Sequence, residues 1–197
     1  MTNRDADSSM PLAGIIGKRW SPRAFSPEIP PGEDLLAMFE AARWAPSCFN
    51  EQPWRFIAAT SLEKETYGRI LDCLAEKNRI WASQAPVLIL SAASRFFSLN
   101  GKENRHAFHD TGLATENLIL QGMHLGIFCH VMAGFSAARA RESFAIPEGF
   151  DPVAAIAAGY PGPADTLPYD LRKSETAKRE RKALASLVFS GTWGNPR

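Results

Sequence analysis

The chain has 197 residues, 45% hydrophobic and 22% charged, with 14 glycines and 14 prolines. This is close to the globular average, so it excludes a disordered or fibrous chain and predicts one domain. Lysine and arginine number 22 against 21 acids, and the net charge of +1 gives no general attraction to nucleic acid or to membranes. Any bound anion must be held by a local arrangement.

The longest apolar run, Ala85 to Ala93, is broken by Pro86 and Ser91 and falls far short of the roughly 20 residues of a membrane helix. Residues 1–10 read as a flexible tip without the hydrophobic stretch of a secretory signal. Cys48, Cys73 and Cys129 are widely spaced and form no CxxC pair, which fits reduced thiols. A cytoplasmic location is therefore expected, with residues 11–197 forming a single domain.

In chain order, Gly32 to Arg43 carries Leu35, Leu36, Phe39 and Ala42 at helical spacing, with Glu33 and Asp34 in the first turn where the helix dipole favours acids. Ser61 is placed to cap a second helix bearing Tyr67, Ile70, Leu71 and Leu74 on one face. A third helix starts between Arg105 and Asp110 and runs to Leu125, apolar over most of its circumference, which predicts burial in the core or at a subunit interface. Four apolar runs, Trp54 to Ala59, Val87 to Ala92, Ile127 to Met132 and Val153 to Ala158, read as strands covered on both faces. One central sheet follows, in an α+β or α/β fold. From Tyr160 onward prolines and Gly162 break regular structure, and from about residue 161 the chain reads as an arm long enough to cross a domain.

Four segments carry possible chemistry. Arg19, Ser21 and Arg23 alternate as they would along an extended stretch, and two guanidinium forks with a hydroxyl suit a phosphate ester; a solvated basic turn has the same spelling. Pro46, Ser47, Cys48 and Asn50 lie in a loop that feeds a strand. Asn50 and Gln52 each offer a donor and an acceptor to a heterocycle, although a capped turn would also use such residues. At Ala133-Gly134 a strand runs out, Ser136 can cap the next helix, and backbone N–H groups become available. Arg179 and Arg181 belong to a basic cluster that alone reads as a solvated face. His106 and His109 lack further metal ligands, Ser98 to Arg105 is the one stretch suited to a lid, and the GxSxG, HExxH, P-loop and GxGxxG motifs are absent.

Taken in order, Arg19-x-Ser21-x-Arg23, Ala45-Pro46-Ser47-x-x-Asn50-x-Gln52-Pro53-Trp54, Asp110-Thr111-Gly112-Leu113-Ala114 and Arg179-x-Arg181 resemble the nitroreductase family of FMN-dependent oxidoreductases, over roughly residues 12–194. The resemblance implies an α+β fold with a mainly antiparallel sheet covered by helices. It also implies a domain-swapped homodimer whose C-terminal arms wrap the neighbouring protomer. Arg19, Ser21 and Arg23 would then meet the ribityl phosphate and the pyrimidine side of FMN, with Arg19 the candidate charge near N1. Asn50 would bond the flavin, Arg179 and Arg181 would close on the phosphate, and Pro46, Ser47 and Cys48 would reach the partner's flavin. Ala133 and Gly134 would present N–H groups near N5. Ala133 replaces a glutamate common in the family, and Trp20 a polar residue.

The resemblance further implies ping-pong turnover, in which NADH or NADPH delivers hydride to the flavin and a small acceptor such as a nitroaromatic or a quinone takes it away, with no catalytic side chain. A dehalogenating or flavin-fragmenting relative, or a non-catalytic FMN carrier, would share the motifs.

Overall fold

The runs Val87 to Ala92 and Val153 to Ala158 are continuous because these central strands are buried on both sides. Trp54 to Ala59 and Ile127 to Met132, expected to be covered likewise, lie at the sheet edges and leave Arg55 and Val131 exposed. The computed structural model describes residues 4–197. Strands β1 (Trp54–Thr60), β2 (Val87–Ser94), β3 (Phe128–Met132) and β4 (Phe150–Gly159) form one sheet in the order β1-β2-β4-β3, antiparallel at every pairing. Side chains alternate between two cores. Leu88, Leu90, Ala155 and Ala157 pack with Tyr67, Ile70, Trp81 and Ala140, which come from α3 (Lys64–Cys73), α4 (Glu76–Ala82) and α6 (Ala137–Ser143). Val87, Ile89, Ile156 and Ala158 pack on the opposite face with Met38, Ala114 and Leu118 from α2 (Gly32–Arg43) and α5 (Ala107–His124). Burying each such Leu or Ile stabilises the fold by roughly 1.5–3 kcal/mol.

Two short helices, α1 (Gly14–Lys18) and α7 (Tyr169–Thr176), flank this body near its two ends. Pro152 lacks a ladder donor, and the β2–β4 register shifts opposite it, between Ser91 and Ala92. Gly122 of α5 packs beneath α2, and a Cβ there would stand 2.9 Å from the Met38 methyl and from the Ile127 carbonyl oxygen.

Several expectations need correction. Ser61 does not cap the second helix: α3 starts at Lys64, and Glu63 instead accepts the Thr60 N–H and hydroxyl, each at 2.9 Å. Within the chain α5 is buried along one stripe, while Phe108, Gly112 and Glu116 are exposed, because α2 and the sheet cover only that side. The C-terminal segment is not irregular throughout, since Pro168 precedes α7 and the prolines upstream serve as its approach. The short α4, with its buried Trp81 and Ala82, has too few turns to announce itself by periodicity.

Candidate functional site

The Arg19–Arg23 segment is extended, and its odd and even positions part company. Pro22 and Ala24 are buried, while Arg19, Ser21 and Arg23 are half-exposed. The segment runs beside β3: the Trp20 ring meets Phe128 edge-on with centroids 6.1 Å apart, and Nδ1–H of His130 donates to the Pro22 carbonyl at 2.9 Å. That acceptor fixes the His130 tautomer, and burial holds the imidazole pKa down to about 4, with Arg23 adding to the effect. Beyond Pro22, the Arg23 N–H donates to both Glu175 oxygens at 3.0 Å and the Ala24 N–H donates at 3.2 Å. Further on, the Ser26 N–H donates to the Tyr160 carbonyl and the Gly162 N–H to that of Ala24, aligning the segment with the exit of β4.

Arg19 and Arg179 come together. Arg19 Nη1 lies 3.5 Å from the Ser21 hydroxyl, and Arg179 donates through Nη1 to the Arg19 carbonyl and through Nη2 to the Gly17 carbonyl at 2.6 Å. Burial, then the neighbouring Arg19, Arg181 and Arg4 guanidinium groups, lower the Arg179 pKa, with Asp5 opposing. The Nε atoms of Arg179 and Arg4 are buried without a hydrogen-bond partner among the described residues. Such donors are costly unless an acceptor meets them, and an anion is one that would. Arg181 is exposed and donates only to the Glu180 carbonyl. A cavity of about 830 Å³, within the usual range of about 300–1,000 Å³ for small-molecule sites, opens on the Trp20 side of the segment; Arg4, Lys18, Phe128 and Tyr160 line it.

Arg23 points elsewhere. Its guanidinium lies 6.0 Å from the Trp81 ring centroid, and Trp81 in turn packs on His130 with centroids 4.5 Å apart. One helical turn before Trp81, Asn78 donates from Nδ2 to the Gly134 carbonyl at 2.9 Å, and the Ala75 N–H donates to the same oxygen. A Cβ on residue 134 would stand 2.6 Å from Asn78 Nδ2, so a side chain there would displace the Asn78 amide. The N–H groups of Ala133 and Gly134 make no hydrogen bond among the described residues. Ser136 caps α6, accepting the Arg139 N–H at 3.2 Å.

The Pro46–Gln52 loop is strained. Phe49, Asn50 and Gln52 have φ of 53°, 56° and 53°, a region that costs non-glycine residues on the order of 1–3 kcal/mol each. The Cys48 N–H donates to Asp110 Oδ2 at 2.8 Å, and the Gln52 N–H to the Ser47 hydroxyl at 3.0 Å. Asp110 Oδ1 pairs with His109 Nδ1 at 2.9 Å, and no group of three metal-ligating side chains occurs among the described residues. Glu51 accepts the Ser98 N–H at 2.8 Å, tying the 98–105 stretch to this loop. Phe49 is 91% exposed. No hydrogen bond or ring contact joins Pro46, Ser47, Cys48 or Asn50 to Arg19, Arg23 or Arg179 among the described residues.

This chain matches the nitroreductase family over residues 16–160. It belongs to that family. A solved structure of an oxidoreductase containing FMN is similar over 99% of this chain and 100% of its own, with 34% identity and a TM-score of 0.92. An uncharacterized 15.4 kDa protein of Mycolicibacterium smegmatis is 32% identical over 123 residues, 62% of this chain and 82% of that protein. A putative NADH dehydrogenase/NAD(P)H nitroreductase of Stenotrophomonas maltophilia is 28% identical over 133 residues, 58% of this chain and 66% of that protein. The antiparallel sheet and covering helices are thus those of a nitroreductase-like α+β fold, and the chain is a nitroreductase-family oxidoreductase.

Four residues that make these contacts carry no local signal in the sequence. Asn78 and Trp81 lie on a helix of seven residues, Glu175 in a stretch that reads as irregular, and Arg4 in the N-terminal tip. Each acts through a contact distant in sequence, and no local spacing encodes it.

Proposed function

We propose that this chain is an FMN-dependent oxidoreductase that draws on NADH or NADPH and reduces a small organic acceptor, a nitroaromatic or a quinone. The observation that carries the reading is the guanidinium cluster of Arg19, Arg179, Arg181 and Arg4, with two buried Nε–H donors left over. Clustered guanidinium groups with spare donors fit a dianionic phosphate ester, and FMN carries one. The FMN-containing neighbour and the name of the Stenotrophomonas relative support the cofactor and the donor.

Bound there, FMN would supply two-electron hydride chemistry. The protein's part is positioning and charge. Arg19, Ser21, Arg179 and Arg181 hold the phosphate. Arg23 lies towards α4, whose Asn78 anchors Gly134, so Arg23 rather than Arg19 is the cation for the pyrimidine side of the ring. Ala133 and Gly134 offer their free N–H groups, fixed because Asn78 and Ala75 hold the Gly134 carbonyl. Asn50, with Pro46, Ser47 and Cys48, serves a site completed by a second copy of the chain. Support for a homodimer with exchanged arms comes from Leu184, Leu187 and Trp193, exposed by 60%, 58% and 92% on an arm with no core of its own. Residues 11–197 form its single domain, in the cytoplasm.

Purified protein is examined for the flavin band at about 450 nm, then titrated anaerobically with NADH and NADPH. Bleaching on addition is expected. Bound flavin that neither donor bleaches would make the chain a flavin carrier, and no flavin after reconstitution would overturn the reading.

A further inference from the structure

We propose that Arg4 is a ligand of the bound phosphate and that residues 4–7 form a clasp over it, an inference that rests on the flavin reading above. Residues 4–7 lie ahead of the family-matched region, yet Arg4, Ala6 and Asp7 each make a contact beside the cation cluster. The Arg4 guanidinium covers the Trp20 ring at 4.3 Å and donates from Nη2 to the Ala177 carbonyl at 3.1 Å. The Ala6 N–H donates to the Gly17 carbonyl at 2.8 Å, the same oxygen that accepts from Arg179. Asp7 pairs with Lys178 at 2.6 Å. The segment therefore bridges the stretch before Arg19 and the stretch before Arg179, the two halves of the cation cluster.

An arginine present only for packing would spend its donors on carbonyls or on water. Arg4 spends Nη2 on the Ala177 carbonyl but, like Arg179, keeps its Nε–H buried and without a hydrogen-bond partner among the described residues. It also stands close enough to Arg179 to disfavour that residue's charge. Two neighbouring guanidinium groups gain from an anion that meets both, and neither gains from the other alone. Arg4 and Lys18 also line the cavity beside Trp20, so the clasp borders open space.

The test is a fluorescence titration of the full-length apoprotein with FMN and with riboflavin, which lacks the phosphate, for the wild type, Arg4→Gln and Arg4→Lys. Expected is a rise in the FMN dissociation constant of about tenfold in Arg4→Gln, a riboflavin constant within about twofold of wild type, and partial recovery of FMN binding in Arg4→Lys. Equal weakening of both flavins would make Arg4 a packing residue and overturn the inference, as would unchanged FMN binding. Failure of the wild type to bind either flavin would remove the flavin reading, and this inference with it.

Discussion

Glu175 holds the backbone of Arg23 across 152 positions of sequence: both carboxylate oxygens accept the Arg23 N–H at 3.0 Å, and one also accepts that of Ala24. The carboxylate is buried, 3% exposed, and faces N–H dipoles rather than a cation. Helix α7 thereby sets where the Arg23 side chain begins. Glu175→Gln keeps one acceptor but loses the charge assistance and is expected to destabilise by about 1 kcal/mol, with Glu175→Ala costing about 2–3 kcal/mol. Denaturant midpoints check this, and FMN affinity should fall along with stability. Equal midpoints for all three proteins would show that the contact does not anchor the segment.

His130 is neutral in the fold, its pKa lowered to about 4 by burial, against an ordinary value of 6.5. The unfolded chain therefore binds a proton that the native state refuses between these values. Stability from this group is complete above about pH 6.5, falls as pH drops towards 4, and changes no further below, a loss of up to about 3 kcal/mol. Urea unfolding at pH 7 and pH 5 should show the drop. His130→Asn, which keeps a donor for the Pro22 carbonyl and does not titrate there, should flatten it.

The three thiols should differ in reactivity. Burial raises the Cys129 pKa to about 12 and the Cys73 pKa as well, and both are about 1% exposed, whereas Cys48 is half-buried in the strained loop. Alkylation of native protein with iodoacetamide, read by peptide mass spectrometry, should label Cys48 alone, and the other two only after unfolding. FMN should slow the labelling of Cys48 if that loop borders the cofactor.

Ala145 sits exposed at φ 49°, a conformation that penalises a Cβ. Ala145→Gly should stabilise by about 0.5–1 kcal/mol after allowing for the greater freedom of glycine in the unfolded chain. An unchanged or lower denaturant midpoint would count against strain at this position.

Sequence alone fixed the elements whose cause is local. Four apolar runs became the strands of one sheet, and Phe39, Ala42, Tyr67 and Ile70 pack on its cores, because side-chain period follows directly from backbone geometry, although Leu36 on the predicted face of α2 is 70% exposed. Tertiary structure decided what depends on distant partners. Arg23 parts from Arg19 because Trp81 and Glu175 draw it towards α4 and α7, and the Gly134 carbonyl is held by Asn78 from 56 positions away. Arg4 enters the cation cluster because Trp20 and Ala177 meet there. Such contacts join residues whose separation along the chain carries no periodic signal, so only the folded path brings them within hydrogen-bond range.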